Sequence, residues 1–114
     1  MNTNQDVISL RGLGEQQLDA ARDARAGRAA QSVYGGQQRT LRQTVLALTA
    51  GNRLDDHESP GGATLLVLRG RVQIGSPTST VEGGEGDYLV IPDERHNLVA
   101  LEDSVVLLTV VPRR

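Results

Sequence analysis

Residues 62–75 read Gly-Ala-Thr-Leu-Leu-Val-Leu-Arg-Gly-Arg-Val-Gln-Ile-Gly, and this stretch decides the fold class. Two short apolar runs, 62–68 and 71–74, flank the pair Arg69-Gly70. Short runs rich in Leu, Val and Ile that are bounded by glycine indicate strands rather than helices. The sequence therefore predicts a β-hairpin that turns at Arg69-Gly70.

The same rhythm of short apolar runs and glycine-rich turns continues on both sides of this stretch. The further predicted strands are residues 30–33, 41–49, 80–82, 88–91, 96–101 and 104–111. Such a series is typical of an antiparallel barrel or sandwich. Residues 14–26 are instead strong helix formers with a thin apolar stripe, which predicts a short helix on the barrel surface. We expect an N-terminal arm and short helix over residues 1–28 and a β-barrel over residues 29–114.

Composition and charge exclude several classes of function. The chain has 114 residues and a formal net charge of −2, so it is one domain without a basic field to attract nucleic acid. No apolar run approaches the roughly 20 residues that span a bilayer. The polar N-terminus lacks a secretory pattern, so we expect a cytoplasmic protein with no membrane partner. Cysteine, Phe and Trp are absent, which excludes thiolate chemistry and predicts an aliphatic core.

Spaced glycines surround the first of the two histidines in the chain. Gly51 is followed after five residues by His57, and Gly70 comes 13 residues later. This pattern resembles the first motif of the cupin superfamily, whose members form a small antiparallel β-barrel. The family motif continues with a second histidine and a glutamate, and this chain has Ser59 and Ala63 at those positions.

The second histidine lies in a pattern that resembles the second cupin motif. Gly86 is followed after five residues by Pro92, and His96 and Asn97 come shortly after. The resemblance covers residues 51–111, a little over half of the chain. It implies an all-β fold, the antiparallel double-stranded β-helix of the cupin or jelly-roll type, with a short N-terminal helix. It implies less about activity, because a fold does not determine a function.

The resemblance implies a metal site of three histidines and one carboxylate, of which only His57 and His96 remain. Two imidazoles, helped by water, Asp55 or Gln43, would hold Zn²⁺, Ni²⁺ or Fe²⁺ only weakly, because tight sites use three or four protein ligands. Alternation along a regular strand places Asp55 and Ser59 on the same side as His57. The predicted pocket residues are His57, His96, Ser59 and Gln43, and the candidate metal ligands are the two histidines.

Two functions of different classes follow from this set. The first is a small cupin-domain protein that binds a small molecule among aliphatic walls, with His57 and His96 as polar anchors. The alternative is a metal-dependent enzyme of the dioxygenase or isomerase type, whose incomplete ligand set is completed by water or substrate. No cofactor is certain from the sequence, and a divalent transition metal is the candidate. We expect a small-molecule partner and no nucleic acid.

The segment before the first long strand predicts self-association. Residues 29–33 form a short strand candidate that follows a weakly amphipathic helix, and an unpaired edge invites pairing with another chain. Pairing with a neighbouring subunit would satisfy its backbone groups and bury Val33 and Tyr34. Symmetric dimers are the commonest oligomer. The sequence therefore predicts a homodimer in which residues before Leu41 contribute to the interface.

Overall fold

A computed structural model describes residues 7–35, 38–59 and 61–112. These residues form one α-helix and nine β-strands. In chain order they are α1 (Leu10–Asp23), β1 (Arg28–Tyr34), β2 (Arg42–Leu48), β3 (Arg53–His57), β4 (Gly61–Arg69), β5 (Arg71–Gly75), β6 (Thr80–Gly84), β7 (Tyr88–Val90), β8 (His96–Ala100) and β9 (Ser104–Pro112). Residues 1–6 of the predicted N-terminal arm lie outside the described residues.

The strands form two antiparallel sheets. The first sheet has the order β1-β2-β9-β4-β7, and the second has the order β3-β8-β5-β6. Buried aliphatic side chains of both sheets form one inner core: Leu46, Leu48, Ala63, Leu65, Val67, Val72, Ile74, Leu89, Ile91, Leu98, Ala100 and Val106. The all-β barrel with a short N-terminal helix that the sequence predicts is confirmed, and its interior is aliphatic.

The helix lies on the outside of the first sheet, as its thin apolar stripe predicts. Leu18 and Ala21 are fully buried and pack against Val45, Ala47 and Val105 on the outer face of that sheet. The helix begins four residues earlier than predicted, because the hydroxyl of its N-cap, Ser9, accepts a hydrogen bond from the backbone N–H of Gly12 at 3.0 Å. It ends at Asp23, three residues before the predicted end.

The predicted hairpin at Arg69-Gly70 is wrong. β4 pairs with β7 and β9 in the first sheet, whereas β5 pairs with β6 and β8 in the second. Gly70 is therefore the corner at which the chain leaves one sheet for the other. Its φ of +84° lies in the left-handed region that favours glycine. A glycine between two apolar runs has the same local pattern in a corner as in a hairpin, so the sequence does not distinguish them.

The argument that β1 needs a neighbouring subunit does not hold in this structure. β1 pairs with β2 of its own chain, from Arg28 opposite Leu48 to Tyr34 opposite Gln43. Val33 packs against the cluster beneath the helix, while Tyr34 stays 45% exposed. The backbone groups that face β2 are thus satisfied within the chain, and the homodimer itself stays a prediction.

The carboxylate of Asp103 links the helix to the barrel by hydrogen bonds. One carboxylate oxygen accepts from the backbone N–H of Ala50 at 2.9 Å, and the other accepts from the Arg22 guanidinium at 3.1 Å. The hydrogen bond from Ala50, followed by that from Arg22, lowers the pKa of Asp103 below its ordinary value of 3.8.

Among the described residues, no helix is long and apolar enough to cross a membrane.

Candidate functional site

The topology brings the two histidines together. β3 and β8 are neighbours in the second sheet, and His57 lies directly opposite His96 in their register. The centroids of the two rings are 4.3 Å apart, and the ring planes make an angle of 70°. Both rings line the same cavity at one end of the inner core.

A β-bulge turns the ring of His57 toward this cavity. The register of β3 and β8 shifts between Leu54 and His57. In a regular strand, residues three positions apart point to opposite faces. Leu54 and His57 nevertheless line the same cavity, because the irregularity changes which residues face inward.

The cavity is small and almost entirely aliphatic. Apart from the two histidines, it is lined by Leu46, Leu54, Leu65, Ile74, Ile91, Asn97, Leu98 and Leu108. Its volume is about 30 Å³, and a water molecule needs roughly 10–15 Å³ on this measure. There is room for about two or three non-hydrogen atoms. His96 is only 4% exposed, whereas His57 is exposed, so His57 lies on the solvent side of the pair.

The backbone determines which nitrogen of each ring carries the proton. Nδ1 of His57 lies 2.9 Å from the carbonyl oxygen of Asp55, and Nδ1 of His96 lies 2.8 Å from the carbonyl oxygen of Glu94. A carbonyl oxygen only accepts hydrogen bonds, so Nδ1 of each ring carries the proton and donates it. In the neutral rings, both Nε2 atoms then hold a free lone pair.

Nε2 of His96 is a buried acceptor without a protein partner. Among residues 7–35, 38–59 and 61–112, no hydrogen bond to either Nε2 is present, and none joins the two rings. A buried polar atom that loses water without gaining a partner costs about 1–3 kcal/mol. Two such acceptors, on rings whose centroids are 4.3 Å apart beside an aliphatic cavity, are complementary to a group that donates hydrogen bonds or to a cation.

The side chains present do not fit a tightly bound metal ion. Imidazoles that ligate a metal often donate their other nitrogen to a backbone carbonyl, as both rings do here. Resident transition metals, however, take three or four protein ligands. Within the described part of the chain, no group of three His, Cys, Asp or Glu side chains comes together around a common point. The other cavity walls are aliphatic except for Asn97.

Three residues singled out from the sequence lie elsewhere. The hydroxyl of Ser59 is engaged with the backbone of Gly61, and Ser59 does not line the cavity. Gln43 lies opposite Thr109, on the outer face of the first sheet, and donates to its hydroxyl at 3.1 Å. Asp55 points outward and pairs with Arg53 at 3.1 Å, with its side chain 88% exposed.

Sequence reasoning also missed most of the aliphatic wall. Leu54 lies on β3, a strand that the sequence pattern did not predict because only one of its five residues is apolar. Ile74, Leu98 and Leu108 lie within predicted strands, and their alternation with outward residues is the signal that assigns them to the interior. Asn97 at the cavity edge donates to the carboxylate of Asp56 at 2.9 Å.

Comparison with known proteins establishes the fold. No family model matches the chain, and no curated protein matches its sequence. Among solved structures, a protein of unknown function from Streptococcus pyogenes is 24% identical with a TM-score of 0.73, over 100% of this chain and 92% of that one. A cupin superfamily protein from Desulfitobacterium hafniense is 14% identical with a TM-score of 0.67, over 75% of this chain and 78% of that one.

An enzyme is also among the structural neighbours. Salicylate 1,2-dioxygenase from Pseudoaminobacter salicylatoxidans, determined as a glycine-to-alanine mutant, is 20% identical with a TM-score of 0.69. The match covers 87% of this chain and 32% of that one. At these identities the likeness shows the fold alone. The chain has the cupin fold, as its two motifs predict.

Proposed function

We propose that this cupin-fold chain binds a small, mainly apolar molecule whose polar end donates a hydrogen bond to the two histidines. The single observation that supports the proposal is the Nε2 atom of His96, which has no protein hydrogen-bond partner among the described residues and belongs to a side chain that is 4% exposed and lines an aliphatic cavity. An alcohol, an amine or a similar donor offers the group that this nitrogen lacks. The aliphatic walls favour an apolar neighbour to that donor.

The size of the cavity limits how much of the ligand enters. About two or three non-hydrogen atoms fit beside the rings, so the donor group and the first carbon atoms go inside. The rest of the molecule would extend past His57, the solvent-exposed member of the pair. Buried donors and acceptors discriminate strongly against analogues that cannot pair with them, so the site should select for the donor rather than for chain length.

The test compares probes that differ in one chemical group. Ethanol and butan-1-ol carry a donor, whereas acetonitrile and butyronitrile have similar chains and only accept. We expect the alcohols to shift the imidazole ¹⁵N resonance of His96 Nε2 in NMR spectra and the nitriles to leave it in place. The control variant Gln43→Ala, on the outer face of the sheet, should respond to the alcohols as the unchanged chain does. Equal shifts from alcohols and nitriles would refute the proposal.

The alternative function, a metal-dependent enzyme of the dioxygenase or isomerase type, makes a different prediction. It requires water or substrate to supply the ligands that the protein does not. Elemental analysis of untagged protein after incubation with Zn²⁺, Ni²⁺ or Fe²⁺ separates the two. Metal at nearly one ion per chain, lost in His57→Ala, would favour the enzyme, and its absence would favour the small-molecule binder.

A further inference from the structure

The bulge in β3 decides whether the ring of His57 faces the cavity. β3 and β8 pair on both sides of the bulge, at Leu54 and at His57. Between these two positions β3 has two residues, Asp55 and Asp56, whereas β8 has only Asn97. Two residues opposite one is the pattern of a β-bulge. A contact that fixes the bulge therefore also fixes the direction of His57.

Without the extra residue, the two faces of β3 would be exchanged. Leu54 lines the cavity, so regular alternation would turn Asp56 inward and His57 outward. The carboxylate of Asp56 would then lie among aliphatic side chains, which is costly for an unpaired charge. The outward position of this carboxylate and the inward direction of the His57 ring are thus two consequences of one bulge.

Two side chains hold Asp56 in its outward position. The amide of Asn97 donates to the Asp56 carboxylate at 2.9 Å. The guanidinium of Arg95 lies 3.5 Å from the carbonyl oxygen of Asp56. Within the described part of the chain, the carboxylate has no other hydrogen-bond or ion-pair partner. The bond from Asn97 is the stronger contact, because its acceptor is charged.

The neighbouring strand leaves room for the Asn97 amide. Gly75 on β5 lies opposite Asn97, and a Cβ at Gly75 would lie 3.0 Å from Asn97 Oδ1, closer than the usual contact distance. On β8, the residues on either side of Asn97 are His96 and Leu98, and both are buried. Alternation therefore directs the amide to the outer face of the second sheet, where it meets Asp56.

We propose that Asn97 is a positioning residue for His57. Its hydrogen bond to Asp56 fixes the bulge and so keeps the His57 ring at the cavity, and Asn97 acts through Asp56 rather than on the ligand. The effect on binding rests on the proposed function, because it requires that His57 contacts the ligand. The direction of the ring can be measured without any ligand.

NMR spectra report the position of the ring, since the chain has only two histidines. Their ring centroids are 4.3 Å apart, so nuclear Overhauser cross-peaks should join the two imidazoles. Asn97→Ala and Asp56→Ala each remove one partner of the hydrogen bond and should lose these cross-peaks. Asp56→Asn keeps an acceptor oxygen and should retain them.

Asp55→Ala is the matched control, because Asp55 lies in the same bulge but its side chain pairs with Arg53. This variant should retain the cross-peaks. Urea unfolding checks that each variant is folded. Asp56 is exposed, so Asp56→Ala is read alone if Asn97→Ala fails to fold. Cross-peaks that persist in a folded Asn97→Ala or Asp56→Ala variant, or that are lost in Asp55→Ala or Asp56→Asn, would overturn the inference.

Titration with butan-1-ol separates this inference from the proposed function. The variants that lose the cross-peaks should bind the alcohol at least about twofold more weakly, measured at the His96 ¹⁵N resonance, because one anchor is lost. An unchanged chain with the cross-peaks but without a response to the alcohol would refute the proposed function and leave the positioning role intact. A normal response together with persistent cross-peaks in Asn97→Ala would refute the positioning role alone.

Discussion

At the scale of single residues, His96 combines a well-satisfied Nδ1 with an unsatisfied Nε2. A side chain kept for stability would have both nitrogens paired, because burial of an unpaired acceptor costs about 1–3 kcal/mol. The structure pairs only Nδ1, with the carbonyl oxygen of Glu94. The free nitrogen is therefore a cost in folding that a ligand can recover.

This imbalance predicts how His96→Leu behaves. The variant loses a hydrogen bond worth about 1 kcal/mol and also removes the unpaired nitrogen, so its free energy of unfolding should equal or exceed that of the unchanged chain. Urea unfolding measures the difference, and the ¹⁵N-detected response to alcohols should be lost at the remaining His57. His57→Leu, at the exposed ring, is the control for stability. A loss of more than about 2 kcal/mol in His96→Leu would show that the side chain is structural.

At the scale of secondary-structure elements, Gly70 and Gly51 form a matched pair. Both have positive φ, +84° and +85°. A Cβ on Gly51 would meet nothing within 4 Å, whereas one on Gly70 would lie 2.3 Å from the carbonyl oxygen of Asp103. Gly51 is required by its backbone conformation alone. Gly70 is required both by its backbone conformation and by the close approach of the β8–β9 turn.

Alanine at these two positions should therefore have unequal effects on stability. Gly51→Ala should lower the free energy of unfolding by about 1–2 kcal/mol, the cost of a left-handed residue with a side chain. Gly70→Ala should lower it by a further 1–3 kcal/mol or so, because backbone atoms must move to make room. Chemical denaturation measures both. Equal losses would mean that the corner between the sheets relaxes freely.

Strand β3 and the corner at Gly70 show what a sequence can predict here. The strand positions other than β3, the barrel and the placing of the helix follow from local periodicity and turn residues, and the spacing of glycines singles out His57 and His96. The side of β3 that His57 faces depends on a bulge, and the corner at Gly70 depends on strand pairing between distant segments. Neither leaves a local signal. Regular alternation therefore placed Asp55 and Ser59 on the side of His57, and the glycine between two apolar runs predicted a hairpin where the structure has a corner.

At the scale of the whole molecule, the first sheet separates two apolar clusters. On the inner face of this sheet, Leu65 is 1% exposed and lines the histidine cavity. On the outer face, Leu18 of the helix is fully buried against the sheet. The strands β2, β4 and β9 contribute side chains to both clusters by alternation. Packing on the two sides is thus independent, although the backbone between them is shared.

This separation predicts that stability and binding respond differently to the same substitution on the two sides. Leu65→Ala and Leu18→Ala should each lower the free energy of unfolding by about 2–5 kcal/mol, because both leave a void in an aliphatic cluster. Only Leu65→Ala enlarges the histidine cavity, so only this variant should bind butan-1-ol more tightly relative to ethanol. Urea unfolding and titration of the His96 ¹⁵N resonance measure the two effects. A Leu18→Ala variant with the same change in alcohol preference would contradict the separation, because it would mean that the cavity is coupled to the helix through the sheet.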